Sequence, residues 1–168
     1  LLSYWNKDRV LFDPFCGSGT IPIEAAMIGR NMAPGLDRSF AAEEWPRVKK
    51  EYWKEAKKEA FKAIDNETKL HILGCDIDRK AILRARDNAA NFGLEDDIAF
   101  FNKDFRDAEL KNEYGVVVTN PPYGERMSEK REVERLHKDL GLKFKDLDTW
   151  SIYVIISDED FENHYNKK

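Results

Sequence analysis

The chain has 168 residues, 42% of them hydrophobic, which is enough to form one domain with a buried core. A net charge of -4 and a pI near 5.5 exclude an overall basic surface of the kind that attracts nucleic acid. The two cysteines are too few for a disulfide framework and suit a reducing cytosol. With no signal peptide and no apolar stretch near ~18 residues, the sequence predicts a cytoplasmic protein with no membrane contact.

Residues that commonly bind metals are spread along the chain. His71, His137 and His164 lie far apart in the sequence and have no cysteine at ligand spacing, so no zinc or other metal site is predicted.

The sequence begins and ends within helical patterns, because residues 1–5 resemble the tail of a helix and residues 158–168 the start of one. We therefore expect a fragment of a longer polypeptide, truncated at both ends.

Short apolar runs alternate with helical patterns from one end of the chain to the other. Strands are predicted at 10–13, 70–76, 98–102, 114–119 and 150–157, and helices at 21–29, 79–92 and 128–140. Strands that alternate with helices at this spacing form a mostly parallel sheet with right-handed crossovers. The predicted fold is therefore α/β, Rossmann-like and doubly wound.

A long, highly charged segment separates the first helix from the second strand. It is predicted to contain a helix over 43–64, with Trp45, Trp53 and Ile64 on one apolar stripe. Lysines are interspersed with acids on its other faces. These faces suit either contact with RNA or simple exposure to solvent, and the second is the commoner case.

The first strand ends in Asp13 and leads into the glycine loop Pro14-Phe15-Cys16-Gly17-Ser18-Gly19-Thr20. A strand, a glycine loop and a helix in this order form the nucleotide-binding half of a doubly wound fold. Two further acids, Asp76 and Asp104, follow the second and third strands. Each acid could be a local helix cap, but three at neighbouring strand ends favour a nucleoside pocket.

The fourth strand runs into Asn120-Pro121-Pro122-Tyr123-Gly124. The strand must stop there, because neither proline has an N–H group for the sheet. The result is a stiff turn at the carboxyl end of a strand, where open α/β sheets bind ligands. This turn carries an amide, a carbonyl and an aromatic ring.

The motifs at 13–20, 74–78, 103–105 and 120–124 together resemble S-adenosyl-L-methionine-dependent amino-methyltransferases. More narrowly, the chain is similar to the THUMP-domain-associated RNA methyltransferases that modify the 2-amino group of guanine in 23S ribosomal RNA. That family is often labelled as adenine-specific DNA methylases. The segment 28–35 and the extension Gly124-Glu125-Arg126 point to this subfamily.

The resemblance implies a role for each motif residue. Catalysis would fall to Asn120, Pro121 and Tyr123, with two acceptors orienting an exocyclic amine and the tyrosine stacking on the base. The remaining predicted residues would bind the cofactor; they are Asp13, Phe15, Cys16, Gly17, Gly19, Asp76, Ile77, Asp104 and Phe105.

The sequence also departs from the family pattern. The N-terminal THUMP domain, which helps to bind RNA, is missing, and the chain stops before a final pair of strands. We therefore expect RNA affinity to come from the missing domain, and the fifth strand to be an exposed edge. Three alternatives remain open: adenine methylation in DNA, a non-catalytic module that binds cofactor and RNA, and, least favoured, a dehydrogenase.

Overall fold

The computed structural model describes residues 2–123, 127–158 and 160–165, without the side chains of 127–130. The predicted extension Gly124, Glu125 and Arg126 lies outside the described residues. The elements in chain order are β1 Val10–Asp13, α1 Thr20–Gly29, α2 Lys50–Lys62, β2 Ile72–Asp76, α3 Arg79–Asn91, β3 Ile98–Asn102, β4 Gly115–Thr119, α4 Met127–Phe144, β5 Trp150–Val154 and α5 Phe161–Tyr165.

The five strands form one sheet in the order β3-β2-β1-β4-β5. Every neighbouring pair is parallel, and the chain moves outward in one direction from β1 to β3 and then returns to place β4 on the other side of β1. The predicted Rossmann-like, doubly wound fold is thus confirmed. The strand order reverses between β1 and β4, which is where such sheets bind ligands.

Successive side chains along each strand point to opposite faces of the sheet, so the core is divided between the two faces. Leu11 and Ile72 face α1 and α3, where they pack with Ile82 and Phe100. The next residue of β1, Phe12, points to the opposite face and packs edge-to-face on Phe144 of α4, with ring centroids 6.4 Å apart. Strands buried on both sides read as continuous apolar runs, which explains why β1 and β4 are so easily recognised in the sequence.

The predicted helix over 43–64 is wrong in extent and in packing. A 3₁₀ turn covers Ala41–Glu44, and α2 begins only at Lys50, because Pro46 interrupts the pattern. No residue of α2 is buried, and Trp45 is 62% exposed. Trp53 stacks on Phe40 of the preceding loop instead, with centroids 6.1 Å apart.

The edges of the sheet agree with the sequence more closely. β5 lies at one end of the strand order, as expected, although it stops at Val154 and does not reach Ser157.

Within the described part of the chain, no helix has both the length and the apolarity that crossing a membrane requires. Both cysteines are buried free thiols, in keeping with the prediction of no disulfide framework.

Candidate active site

A cleft of about 440 Å³ opens at the carboxyl ends of the strands. It brings together six residues that the sequence predicted, from four separate motifs: Phe15, Asp76, Ile77, Asp104, Phe105 and Asn120. Four further residues line it that were not among the predicted site residues: Pro14, Arg106, Pro122 and Leu136. The glycine loop, the acidic strand ends and the turn after β4 therefore share one cavity.

The three strand-end aspartates share a local geometry. Each carboxylate accepts a hydrogen bond from the backbone N–H two residues further on, at 3.1 Å for Asp13, 2.8 Å for Asp76 and 2.9 Å for Asp104. Such bonds stiffen the turn that follows each strand. The local cap and the ligand site, which the sequence left as alternatives, are compatible because a carboxylate has several acceptor positions.

Asp76 connects β2 to the glycine loop. Its second oxygen accepts the N–H of Gly17 at 3.0 Å, while its first holds the N–H of Asp78. The side chain also lines the cleft, next to an Ile77 side chain that is 74% exposed. An accessible carboxylate beside an apolar side chain suits a nucleoside, which offers ribose hydroxyls and a flat base.

Asp104 lies in a charged network that sequence reasoning missed. Arg106 donates to Asp104 at 2.6 Å and to Asp139 of α4 at 2.7 Å. The same guanidinium lies 5.0 Å from the centroid of the Phe105 ring, which in turn packs on Phe15 at 5.0 Å. The arginine thus joins this wall of the cleft to α4, and a ligand amine at Asp104 would share the carboxylate with it.

Asp13 is buried under the cleft and does not line it. Its carboxyl group is 1% exposed and accepts a 2.7 Å hydrogen bond from the hydroxyl of Thr119 at the end of β4. Burial raises the pKa of Asp13 to about 7, against the hydrogen bonds from Thr119 and Phe15 that lower it. The contact between Asp13 and a cofactor amino group stays a prediction.

This raised pKa gives a testable pH dependence. Between pH 3.8 and about 7 the folded state binds a proton at Asp13 that the unfolded state has released, so stability falls as the pH rises through that interval. We expect Asp13→Asn to flatten this slope and to raise the free energy of unfolding at pH 8 by about 1–3 kcal/mol. Urea denaturation from pH 4 to pH 8 measures both effects. Parallel pH profiles for the two proteins would mean that Asp13 is ionised when folded.

The remaining loop residues act through the backbone and through packing. Gly19 has φ +87°, and a Cβ atom there would lie 3.0 Å from the Phe100 ring and 3.1 Å from Ala85, so glycine is required twice over. Cys16 is buried, and burial together with the nearby Asp13 raises the pKa of its thiol far above the usual range. Burial disfavours the thiolate, which is the nucleophilic form of a cysteine, and suits a packing role.

The turn after β4 is only partly inside the cleft. Asn120 and Pro122 line it, Pro121 is buried, and Tyr123 is 43% exposed. The Tyr123 ring lies in a neighbouring cleft with residues of α4 and of the segment after β5. Its hydroxyl donates to the side-chain oxygen of Asn120, so the acceptor assigned to a substrate amine is occupied by a tyrosine.

A family model described as the RMKL-like methyltransferase domain matches residues 1–168, the full length of the sequence. The chain belongs to this family. The predicted family, the Rossmann-like methyltransferases, is therefore confirmed, and it agrees with a cleft at the reversal point of the sheet.

Two curated relatives extend the comparison of the RMKL-like domain. "Putative RNA methyltransferase YpsC" of Bacillus subtilis is 45% identical over 167 residues, which are 99% of this chain and 43% of YpsC. "Ribosomal RNA large subunit methyltransferase K/L" of Shewanella woodyi is 41% identical over 162 residues, 93% of this chain and 23% of that protein. The chain thus spans less than half the length of the relatives it matches.

Two solved structures share the fold of the RMKL-like domain. One, from Listeria monocytogenes and named a "predicted N6-adenine-specific DNA methylase", is 46% identical, with a TM-score of 0.94 over 99% of this chain. The other, "SMU.472, a putative methyltransferase complexed with SAH", is 41% identical with the same TM-score. This chain covers 44% of each of those chains.

Proposed function

We propose that residues 1–168 are a catalytic domain that methylates the 2-amino group of guanine in 23S ribosomal RNA, with S-adenosyl-L-methionine as methyl donor. One observation carries the proposal: the turn after β4 and the nucleoside-type acids belong to one cleft. Asn120 and Pro122 line the same cavity as Asp76 and Asp104. A methyl group bound by the acidic side can therefore reach an amine bound at the turn.

The donor side of the cleft is formed by the glycine loop and the ends of β2 and β3. S-adenosyl-L-methionine, the cofactor of this class of methyltransferase, supplies a methyl group on a positively charged sulfur. We assign its ribose to Asp76, the face of its adenine to Ile77 and its adenine amine to Asp104. The backbone N–H of Phe105 would donate a hydrogen bond to the adenine. The loop of Phe15, Cys16, Gly17 and Gly19 would enclose the methionine part.

The acceptor side must make an aromatic amine nucleophilic. The lone pair of such an amine is delocalised into its ring, so two hydrogen-bond acceptors are needed to hold its N–H groups and turn the lone pair toward the methyl carbon. We assign this role to the side-chain oxygen of Asn120 and the backbone carbonyl of Pro121, directly after β4. The nitrogen would then take the methyl carbon as the S–C bond breaks, which leaves S-adenosylhomocysteine, and one N–H proton of the alkylated amine would pass to water.

Tyr123 donates its hydroxyl to Asn120, so a substrate amine would either take the second acceptor position of that oxygen or displace the hydroxyl. Its ring is exposed and can stack on a base that has left its helix, which contributes about 1–3 kcal/mol and tolerates any base. Stacking alone therefore does not separate guanine from adenine.

The names of the relatives favour RNA, with one exception. YpsC and the K/L enzyme are named for RNA, whereas the Listeria structure is named for adenine in DNA. The net charge of -4 supplies little phosphate attraction, so we assign most of the RNA affinity to a part of a longer protein outside these residues. The 43% coverage of YpsC is in keeping with that assignment.

Labelled cofactor distinguishes the two substrates. The protein is incubated with deproteinised 23S ribosomal RNA or with plasmid DNA, and the modified nucleoside is identified by mass spectrometry after digestion. We expect N2-methylguanosine from RNA and no label in DNA. N6-methyladenine in the plasmid, or label on another RNA nucleoside, would refute the guanine assignment.

A further inference from the structure

Two of the three histidines meet in space although they are distant in the sequence. His137 of α4 and His164 of α5 have ring centroids 6.3 Å apart, and Asp158 lies between them in the segment that follows β5. One ligand atom from each of these three residues lies within 4.8 Å of the others. The group is separate from the 440 Å³ cleft at the carboxyl ends of the strands, because none of the three residues lines that cleft.

His137 is the unusual member of this group. Its side chain is fully buried, and neither ring nitrogen has a hydrogen-bond partner among the described residues. Asp158 Oδ2 is 3.5 Å from His137 Nδ1, longer than the roughly 2.7–3.2 Å of a normal N–H···O bond. Nδ1 of His164 is also buried, has no hydrogen-bond partner in the part of the chain that the structure describes, and lies 3.8 Å from the same carboxylate oxygen. Unpaired buried nitrogens are costly, so this arrangement calls for a ligand.

We propose that His137, Asp158 and His164 form a zinc-binding site. Two imidazole nitrogens and a carboxylate oxygen are ligands that Zn²⁺ prefers, whereas Mg²⁺ and Ca²⁺ require mostly oxygen. Ligands at Zn–N and Zn–O distances of about 2.0–2.1 Å in a tetrahedron are separated by roughly 3.3 Å. The separations of 3.5 and 3.8 Å between Asp158 and the two histidines are near this value, and the ligand atoms of the two histidines lie within 4.8 Å of each other.

The surroundings provide the remaining features of a metal site. Phe161 packs edge-on against the His137 ring, with centroids 4.8 Å apart, and closes one side. On the other side Asp158 and His164 face a cleft of about 300 Å³ that Ser157, Asp160 and Glu134 also line. A fourth coordination position can therefore be filled by water from this cleft.

Zinc at this site would join three parts of the chain beside the candidate base-stacking residue. The ligands come from α4, from the segment after β5 and from α5, and Tyr123 lines the same cleft as Asp158 and His164. The metal would thus fix the wall against which the Tyr123 ring lies. This role is structural and does not depend on methyl transfer.

Zinc binding to the full chain, prepared without a histidine tag and stripped with chelator, tests the proposal. Competition with a chromophoric chelator should give one Zn²⁺ per chain, and saturation at about 100 times Kd should raise the Tm by about 5–10 °C. His164→Gln and Asp158→Asn should each weaken zinc binding at least about tenfold. His71→Gln, at an exposed histidine outside the cluster, is the matched control and should leave it unchanged.

Several results would overturn the site. These are less than one equivalent of bound zinc, or equal affinity in the wild type and in both cluster variants. Circular dichroism of the metal-free variants shows whether they fold. If they do not, the Co²⁺ complex of the wild type decides: tetrahedral d–d bands without a thiolate charge-transfer band support the site, and a thiolate band would assign the metal to Cys16 or Cys75 instead.

Discussion

Asn120→Ala is expected to lower the turnover number for base methylation by about 100-fold or more while changing cofactor affinity less than about threefold. The side-chain oxygen is assigned to an amine whose charge develops only as the N–C bond forms, so its loss acts on the transition state. Single-turnover kinetics with labelled cofactor give the rate, and calorimetry with S-adenosylhomocysteine gives the affinity.

Asn66→Ala is the matched control, because Asn66 is an exposed asparagine in the loop before β2. It should leave both quantities unchanged. An Asn120→Ala protein that turns over at the wild-type rate would falsify the catalytic assignment. A wild-type chain that binds cofactor without methylating any RNA or DNA would instead favour the non-catalytic module.

Asp76→Ala is expected to weaken cofactor binding by about 10- to 100-fold, since a hydrogen bond to a charged group contributes about 1.5–3 kcal/mol. The effect has two sources. The carboxylate lines the cleft where the ribose is assigned, and it also holds the N–H of Gly17 at 3.0 Å and so fixes the glycine loop. Calorimetric titration with S-adenosylhomocysteine measures the loss.

Two further variants separate these sources from a general loss of stability. Asp96→Ala removes an exposed carboxylate in the turn between α3 and β3 and should bind cofactor normally. Asp76→Asn keeps acceptor atoms for the loop but loses the charge, and we expect it to bind with intermediate affinity. If Asp76→Ala bound as tightly as the wild type, the ribose would have to be assigned elsewhere in the cleft.

The sequence specified the sheet more fully than the site. β1 and β3 have the predicted bounds because each is a short apolar run closed by a polar residue at its carboxyl end. Helix α2 shows the opposite case. A stripe of Trp45, Trp53 and Ile64 has the helical period, yet Pro46 delays the helix and the segment packs on its own loop. Periodicity indicates a helix but does not say what covers it.

Two of the four cleft residues that sequence reasoning missed, Arg106 and Leu136, are supplied by tertiary packing, whereas Pro14 and Pro122 lie inside the motifs. Leu136 reaches the cleft from α4, well beyond any motif, and nothing in its local pattern separates it from a core leucine. Arg106 follows the motif at 103–105 directly, and its bonds to Asp104 and Asp139 depend on how α4 lies against that loop. The histidine cluster escapes sequence analysis for the same reason, because residues far apart along the chain can lie close together in space.

The hydrogen bond from Tyr123 to Asn120 occupies one of the two acceptor positions of the amide oxygen. An incoming amine would take the second position or displace the phenol. A base edge that presents an acceptor would gain no hydrogen bond from this oxygen. We therefore expect the turn to favour a base edge that donates hydrogen bonds.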